Sequence, residues 1–176
     1  MNGKRRYKKH EIALKNKVTP AILAALSTAI LTYVLYYVNF DLSYGQGASA
    51  ILFASFGSSA FILFMTPRSK SAKISRFVKS YALAAILGAL GLYLVYVMPL
   101  FAAVGIIVLI LSLLMYALDS SHPPAVGIAL AFVLYRMEIY GVLIVILGVM
   151  LLLFLRIVLE RFVYIIEEDV VKEIER

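Results

Sequence analysis

Long apolar runs separated by short polar turns organise this chain. Val18–Val38, Gly47–Thr66, Ser80–Met98 and Leu100–Leu118 carry no charge, and Ile139–Leu159 carries only Arg156. At a rise of about 1.5 Å per residue, runs of this length match about 30 Å of hydrocarbon. They predict five transmembrane helices. A sixth apolar stretch, Ala125–Tyr135, has 11 residues and is too short to cross alone. Punctuation agrees with this division. Thr19-Pro20 is a helix-start signal, Pro67 closes the second run, and Pro99 separates the third from the fourth. Proline can begin a helix but cannot continue one, so His122-Pro123-Pro124 predicts a new N-terminus before Ala125. Gly57-Ser58-Ser59 is expected to interrupt the second run in the same way, ahead of Ala60–Thr66. The expected fold is all-α, a polytopic transmembrane bundle of five full spans plus a half-helix after the His-Pro-Pro break.

Composition strengthens this picture. Hydrophobic residues make up 63% of the 176 and charged ones 15%, against about 25% charged in soluble domains. A soluble domain of this size could not cover so much apolar surface. The charge is also segregated. Residues 1–17 hold seven basic side chains against Glu11, and Arg68–Lys79 holds five with no acid. These blocks precede the first span and follow the second, so they share one side, which the positive-inside rule makes cytoplasmic. The chain thus divides into a basic cytoplasmic arm (1–17), a transmembrane domain (18–159) and a charged tail with helical spacing (160–176). Ala125–Tyr135 is expected to rise from the break and the last span to descend, returning Arg156, Arg161 and the tail to the cytoplasm. A re-entrant dip, or a continuation of the fourth span, are the other paths. Basic residues beside apolar spans point to anionic lipid headgroups as partners, not to nucleic acid. A prokaryotic plasma membrane is the expected location.

Little of the chain can carry chemistry. There is no cysteine, and the histidines are His10 and His122. A multi-histidine metal site, a phosphate-binding Gly-rich loop and a Gly-x-Ser-x-Gly elbow are therefore missing. No enzyme activity, cofactor or metal is expected. The polar breaks remain. A helix N-terminus offers unpaired N–H groups and partial positive charge, and inside a membrane such a break is tolerated only where it is buried or lines a wet cavity. Broken helices of this kind hold anions in several transporters. The candidate binding set is Gly57, Ser58, Ser59, Ser120, Ser121, His122, Pro123 and Pro124, with hydroxyl and ring N–H donors facing a small anion. Asp119 and His122 are candidates for proton or charge coupling. Alternatives stay open: Ser120-Ser121-His122 as an ordinary capped turn, Gly57-Ser58-Ser59 as close-packing residues, and Asp119 as the ion-pair partner of His122 or a loop base. Tyr33, Tyr81, Tyr93, Tyr96 and Tyr116 are expected mostly to anchor at interfaces. Arg136 with Glu138, and Arg156, are expected to snorkel or pair at the surface.

Phe56-Gly57-Ser58-Ser59-Ala60, then Phe64, Pro67 and Ser69, and later Ser121-His122-Pro123-Pro124-Ala125 with Gly127 and Ala129, resemble the HPP family of integral membrane proteins. The likeness covers about 51–159. Many members place a histidine near the start of the next helix, where this chain has Tyr81. Plant members of that family act as chloroplast nitrite transporters, so the resemblance implies a transporter or channel for nitrite or a similar small monovalent anion. Five spans make a slender bundle, which favours a homo-oligomer. Two other function classes fit the same sequence: a non-transporting structural or regulatory membrane protein, and a cation or proton pathway centred on Asp119.

Overall fold

A computed structural model describes the backbone of residues 2–37, 41–137 and 139–174, and the side chains of 18–37, 47–137, 140–158 and 161. Six α-helices follow one another: α1 (Asn2–Tyr37), α2 (Asp41–Met65), α3 (Ile74–Val97), α4 (Leu100–Ala117), α5 (Ala125–Tyr135) and α6 (Ile139–Ile174), with a 3-10 turn at Lys70–Ala72. Five of them contain stretches long and apolar enough to cross a membrane: Val18–Tyr37, Gly47–Met65, Ile74–Val97, Leu100–Ala117 and Tyr140–Val158. The run lengths predict these spans, and the short α5 occupies the stretch after the double proline.

Three expectations change. The first helix does not begin at Thr19-Pro20; α1 starts at Asn2 and runs through Pro20. One missing N–H there falls at the edge of the apolar span, where water can serve the released carbonyl. Nor does Gly57-Ser58-Ser59 break a helix, because α2 is continuous from Asp41 to Met65. Glycine and serine keep their N–H groups, so the hydrogen-bond ladder passes through them. Finally, α3 starts at Ile74, inside the basic stretch, and Arg76 lies buried on it.

The short helix sits at the centre. It packs against α2, α3 and α4, while α1 lies outside against α2 and α6. Every residue of α5 before Tyr135 is apolar, as befits a helix enclosed along most of its length; only its end, at Leu134 and Tyr135, is exposed. Its path runs from one end of the bundle to the other. At its start His122 meets Ser71 of the α2–α3 loop; at its end Arg136 lies over the Tyr96 ring, 5.5 Å from the centroid. From there α6 returns: Gly141 packs by Phe132, Gly148 by Phe56, and Arg156 donates to the Ala72 carbonyl. The ascending α5 and descending α6 favoured from sequence are therefore the observed path, and Arg156 lies at the end that holds the basic loop. Arg156 does not snorkel outward. It is buried, because the loop folds inward and supplies a carbonyl. The backbone of α6 is helical to Ile174.

Candidate functional site

Between α4 and α5 the chain leaves helical conformation for a few residues, and the local chemistry explains how. The α4 C-terminus closes on Asp119 in the left-handed region, φ 48°, which short polar side chains tolerate. The Ser120 N–H then reaches the Met115 carbonyl at 2.8 Å and the Asp119 N–H reaches that of Tyr116 at 3.2 Å. This paired capping pattern satisfies the last carbonyls of α4. Asp119 itself is exposed and receives two bonds from Arg76 Nη2, at 2.5 and 2.6 Å. It thus pairs with a base of the loop region, one of the two partners foreseen, and points away from the core. Ser80 Oγ donates to the Ser120 carbonyl, tying the break to α3.

His122 follows, fully buried. Its Nδ1 lies 2.8 Å from the Ser71 carbonyl, which can only accept, so Nδ1 carries the proton. Its Nε2 lies 2.7 Å from Ser59 Oγ, and Ser59 Oγ lies 2.7 Å from the Tyr81 hydroxyl. Tyr81 also has the Ser55 carbonyl at 3.2 Å. Aromatic rings close the sides: Phe77 stands edge-on to the imidazole at 5.1 Å, and Phe56 stacks on Tyr81 at 5.3 Å. With neutral imidazole, Tyr81 donates to Ser59 and Ser59 donates to Nε2. If Nε2 gains a proton, the chain reverses: Nε2 donates to Ser59, Ser59 to Tyr81, and Tyr81 turns to the Ser55 carbonyl. Every hydrogen finds an acceptor in both states. The network can therefore take up a proton without leaving a polar group unpaired.

Burial pushes the His122 pKa below the ordinary imidazole value of 6.5, and the bond to the Ser71 carbonyl works against that shift. The unfolded chain then binds the proton first as pH falls. Stability is expected to be full above about 6.5 and to decline as pH drops toward the lower folded value. Thermal midpoints of the detergent-solubilised protein between pH 8 and 5 check this. The acid-side decline should flatten in His122→Gln; an identical decline in that variant would assign it to another group.

The structure sorts the candidate residues. His122 of the break meets Ser59 of α2, and Ser120 is buried in the same break with its hydroxyl 3.4 Å from the Met115 carbonyl. Ser58 is exposed: successive residues of a continuous helix point about 100° apart, and the buried arc of α2 that holds Ser55, Phe56, Ser59 and Ala60 leaves Ser58 on the outer side. Ser121 and Pro123 are exposed, and Pro124 is half-buried. Gly57 faces α1, where an added Cβ would stand 3.4 Å from Thr28 Cγ2. The expected free donors of the α5 tip are engaged. Ala125 donates to His122, Val126 to Pro123 and Gly127 to Pro124, at 3.0–3.1 Å. What faces the interior is a side-chain network, not a bare helix tip. Tyr81, expected among the anchors, is buried within it, whereas Tyr33, Tyr93, Tyr96 and Tyr116 are exposed. Ser55, Ser71, Arg76, Phe77 and Ser80 belong to the same region but not to the candidate set. The α3 members share a sequence signal, the four-residue spacing of Arg76 with Ser80 and of Phe77 with Tyr81, which sets each pair on one face; Ser55 and Ser71 take part through backbone carbonyls, which have none.

The sequence matches the family described as HPP, transmembrane region, over residues 9–165. The chain belongs to the HPP transmembrane family. No curated protein and no solved structure matches it. In this HPP protein the His-Pro-Pro tripeptide forms the break itself. The histidine turns inward to α2 and α3, and the prolines start α5.

Proposed function

We propose that this HPP protein moves a small monovalent anion across the membrane, with nitrite the first candidate by its resemblance to plant members. One observation carries the reading: a hydroxyl–hydroxyl–imidazole network, Tyr81–Ser59–His122, lies buried within the bundle at a helix break. An isolated anion is costly in such surroundings. Ser59 and Tyr81 supply hydroxyl donors, but Nε2 of neutral His122 is an acceptor and repels the anion's lone pairs. Protonation turns it into a charged donor, so the anion and a proton enter together and the site stays neutral. Flux then rises as the pH on the loading side falls.

Proteoliposomes assayed for nitrite, nitrate, formate and chloride uptake test this. Expected are uptake above empty vesicles, faster at pH 6 than at pH 8, and a loss of about tenfold in Ser59→Ala and Tyr81→Phe, the worth of one hydrogen bond near 1.4 kcal/mol. Absence of uptake by the wild type would end the transport reading. Full uptake in both variants would remove the site from the path. Asp119→Asn should retain uptake; its loss with cation dependence would favour a cation pathway instead. A second reading draws on the donors being engaged by one another: the network is a structural latch joining the α2–α3 loop to the break. That reading expects both variants to lose stability with no effect on any flux.

A further inference from the structure

The outward faces of α1 and α2 leave a groove between them. Thr28 ties its hydroxyl to the Ala24 carbonyl at 2.8 Å, and its methyl carbon lies toward Gly57, which has no side chain to fill the gap. The groove has a volume of about 560 Å³ and is walled by Ala21, Ala25, Thr28, Gly57, Phe61 and Met65. It shares the Met65 side chain as a wall with a second hollow of about 500 Å³, lined also by Pro20, Thr66, Arg68 and Ser69. Each volume lies within the range of about 300–1,000 Å³ usual for ligand sites. The first hollow is apolar along its length. The second opens where the α2 span ends at Met65, which is headgroup depth, and its rim carries a guanidinium and two hydroxyls.

We propose that this groove binds one anionic phospholipid, with an acyl chain along Ala21–Thr28 and Gly57–Met65 and the phosphate against Arg68 and Ser69. Charge decides the occupant. The only carboxylate among the described side chains is Asp119, and Arg76 already holds it. Arg68–Lys79 otherwise contributes bases alone. An apolar channel that ends on a planar, bidentate cation at the interface matches a chain followed by a phosphate. A neutral lipid would bring a compensating cation to the same spot. A helix from a second copy would fill the apolar part and leave Arg68 without an anion.

The test uses the full chain, delipidated in detergent and titrated with phosphatidylglycerol or phosphatidylcholine under native mass spectrometry. The expected result is one phosphatidylglycerol retained per chain, about tenfold more tightly than phosphatidylcholine, as a charge-assisted bond would give. Arg68→Gln should bring the two lipids to near parity, and Ala25→Trp should block both. Equal retention by the wild type, or unchanged preference in Arg68→Gln, would overturn the proposal. So would a dimer that Ala25→Trp splits while phosphatidylglycerol retention persists. Arg68 is exposed, so its variant keeps the test decisive even if the tryptophan variant does not insert.

Discussion

His122→Ala is expected to destabilise the folded bundle by about 3–5 kcal/mol, while Ser58→Ala and Ser121→Ala stay within about 0.5 kcal/mol of wild type. The imidazole is fully enclosed and bridges two separate segments, through Ser59 on α2 and the Ser71 carbonyl in the α2–α3 loop. Truncation leaves a void the size of a ring and releases an acceptor and a hydroxyl inside the bundle. Water cannot reach them at low cost there, so the loss includes desolvation of both groups as well as lost packing. The two exposed serines end in surroundings that replace their bonds freely. Unfolding of the three variants in the same micelles provides the comparison. Equal, small losses would mean that the break is loosely held and that the network is not what fixes it. A large loss in Ser121→Ala would mean that the exposed serine carries a contact this geometry does not contain.

The division between these serines marks how far the sequence could be read. Span positions were legible because each apolar run is long enough to be decisive by length alone. Their ends were less so. A charge scan stops the third run at Lys79, yet α3 reaches back to Ile74, where Asp119 in the α4–α5 break neutralises Arg76. The half-helix was legible from two consecutive prolines, whose missing N–H groups bar the continuation of α4 but suit the first turn of a new helix. Its direction was only favoured, since 11 residues do not reach across; the inward fold of the α2–α3 loop and the irregular Ser120–His122 backbone make up the depth. Gly57-Ser58-Ser59 looked like a second break, but a helix in lipid needs a missing donor, not small residues, to be interrupted. Within the site, Ser59 and His122 were legible as residue types and not as a pair, being 63 positions apart. The Ser71 carbonyl left no trace at all. Every residue has a carbonyl, so a backbone acceptor is fixed only by the fold.

Alanine at Gly88 is expected to destabilise the protein by about 1–3 kcal/mol, whereas alanine at Gly105 should stabilise it by about 0.5–1 kcal/mol. Both glycines lie inside helices, α3 and α4, and on propensity alone both substitutions should help. Packing reverses the sign at one of them. A Cβ on Gly88 would stand 2.9 Å from Phe132 Cβ and 3.0 Å from the Ala129 Cα, which belongs to the α5 backbone and cannot rotate away. A Cβ on Gly105 meets nothing within 4 Å. In lipid the helices gain little from apolar burial and hold together by close contact, so a glycine that lets two backbones approach is part of the interface itself. The consequence extends to the site. Since only Pro123 and Pro124 separate His122 from the start of α5, pushing that helix from α3 also draws the imidazole from Ser59 and Ser71. Gly88→Leu should therefore lose both stability and any anion flux, and Gly105→Leu should keep both. Unfolding midpoints of the alanine pair and uptake by the leucine pair are the measurements. Stabilisation by alanine at Gly88 would show that α3 and α5 are not packed at this distance, and the buried network could not then stand as described.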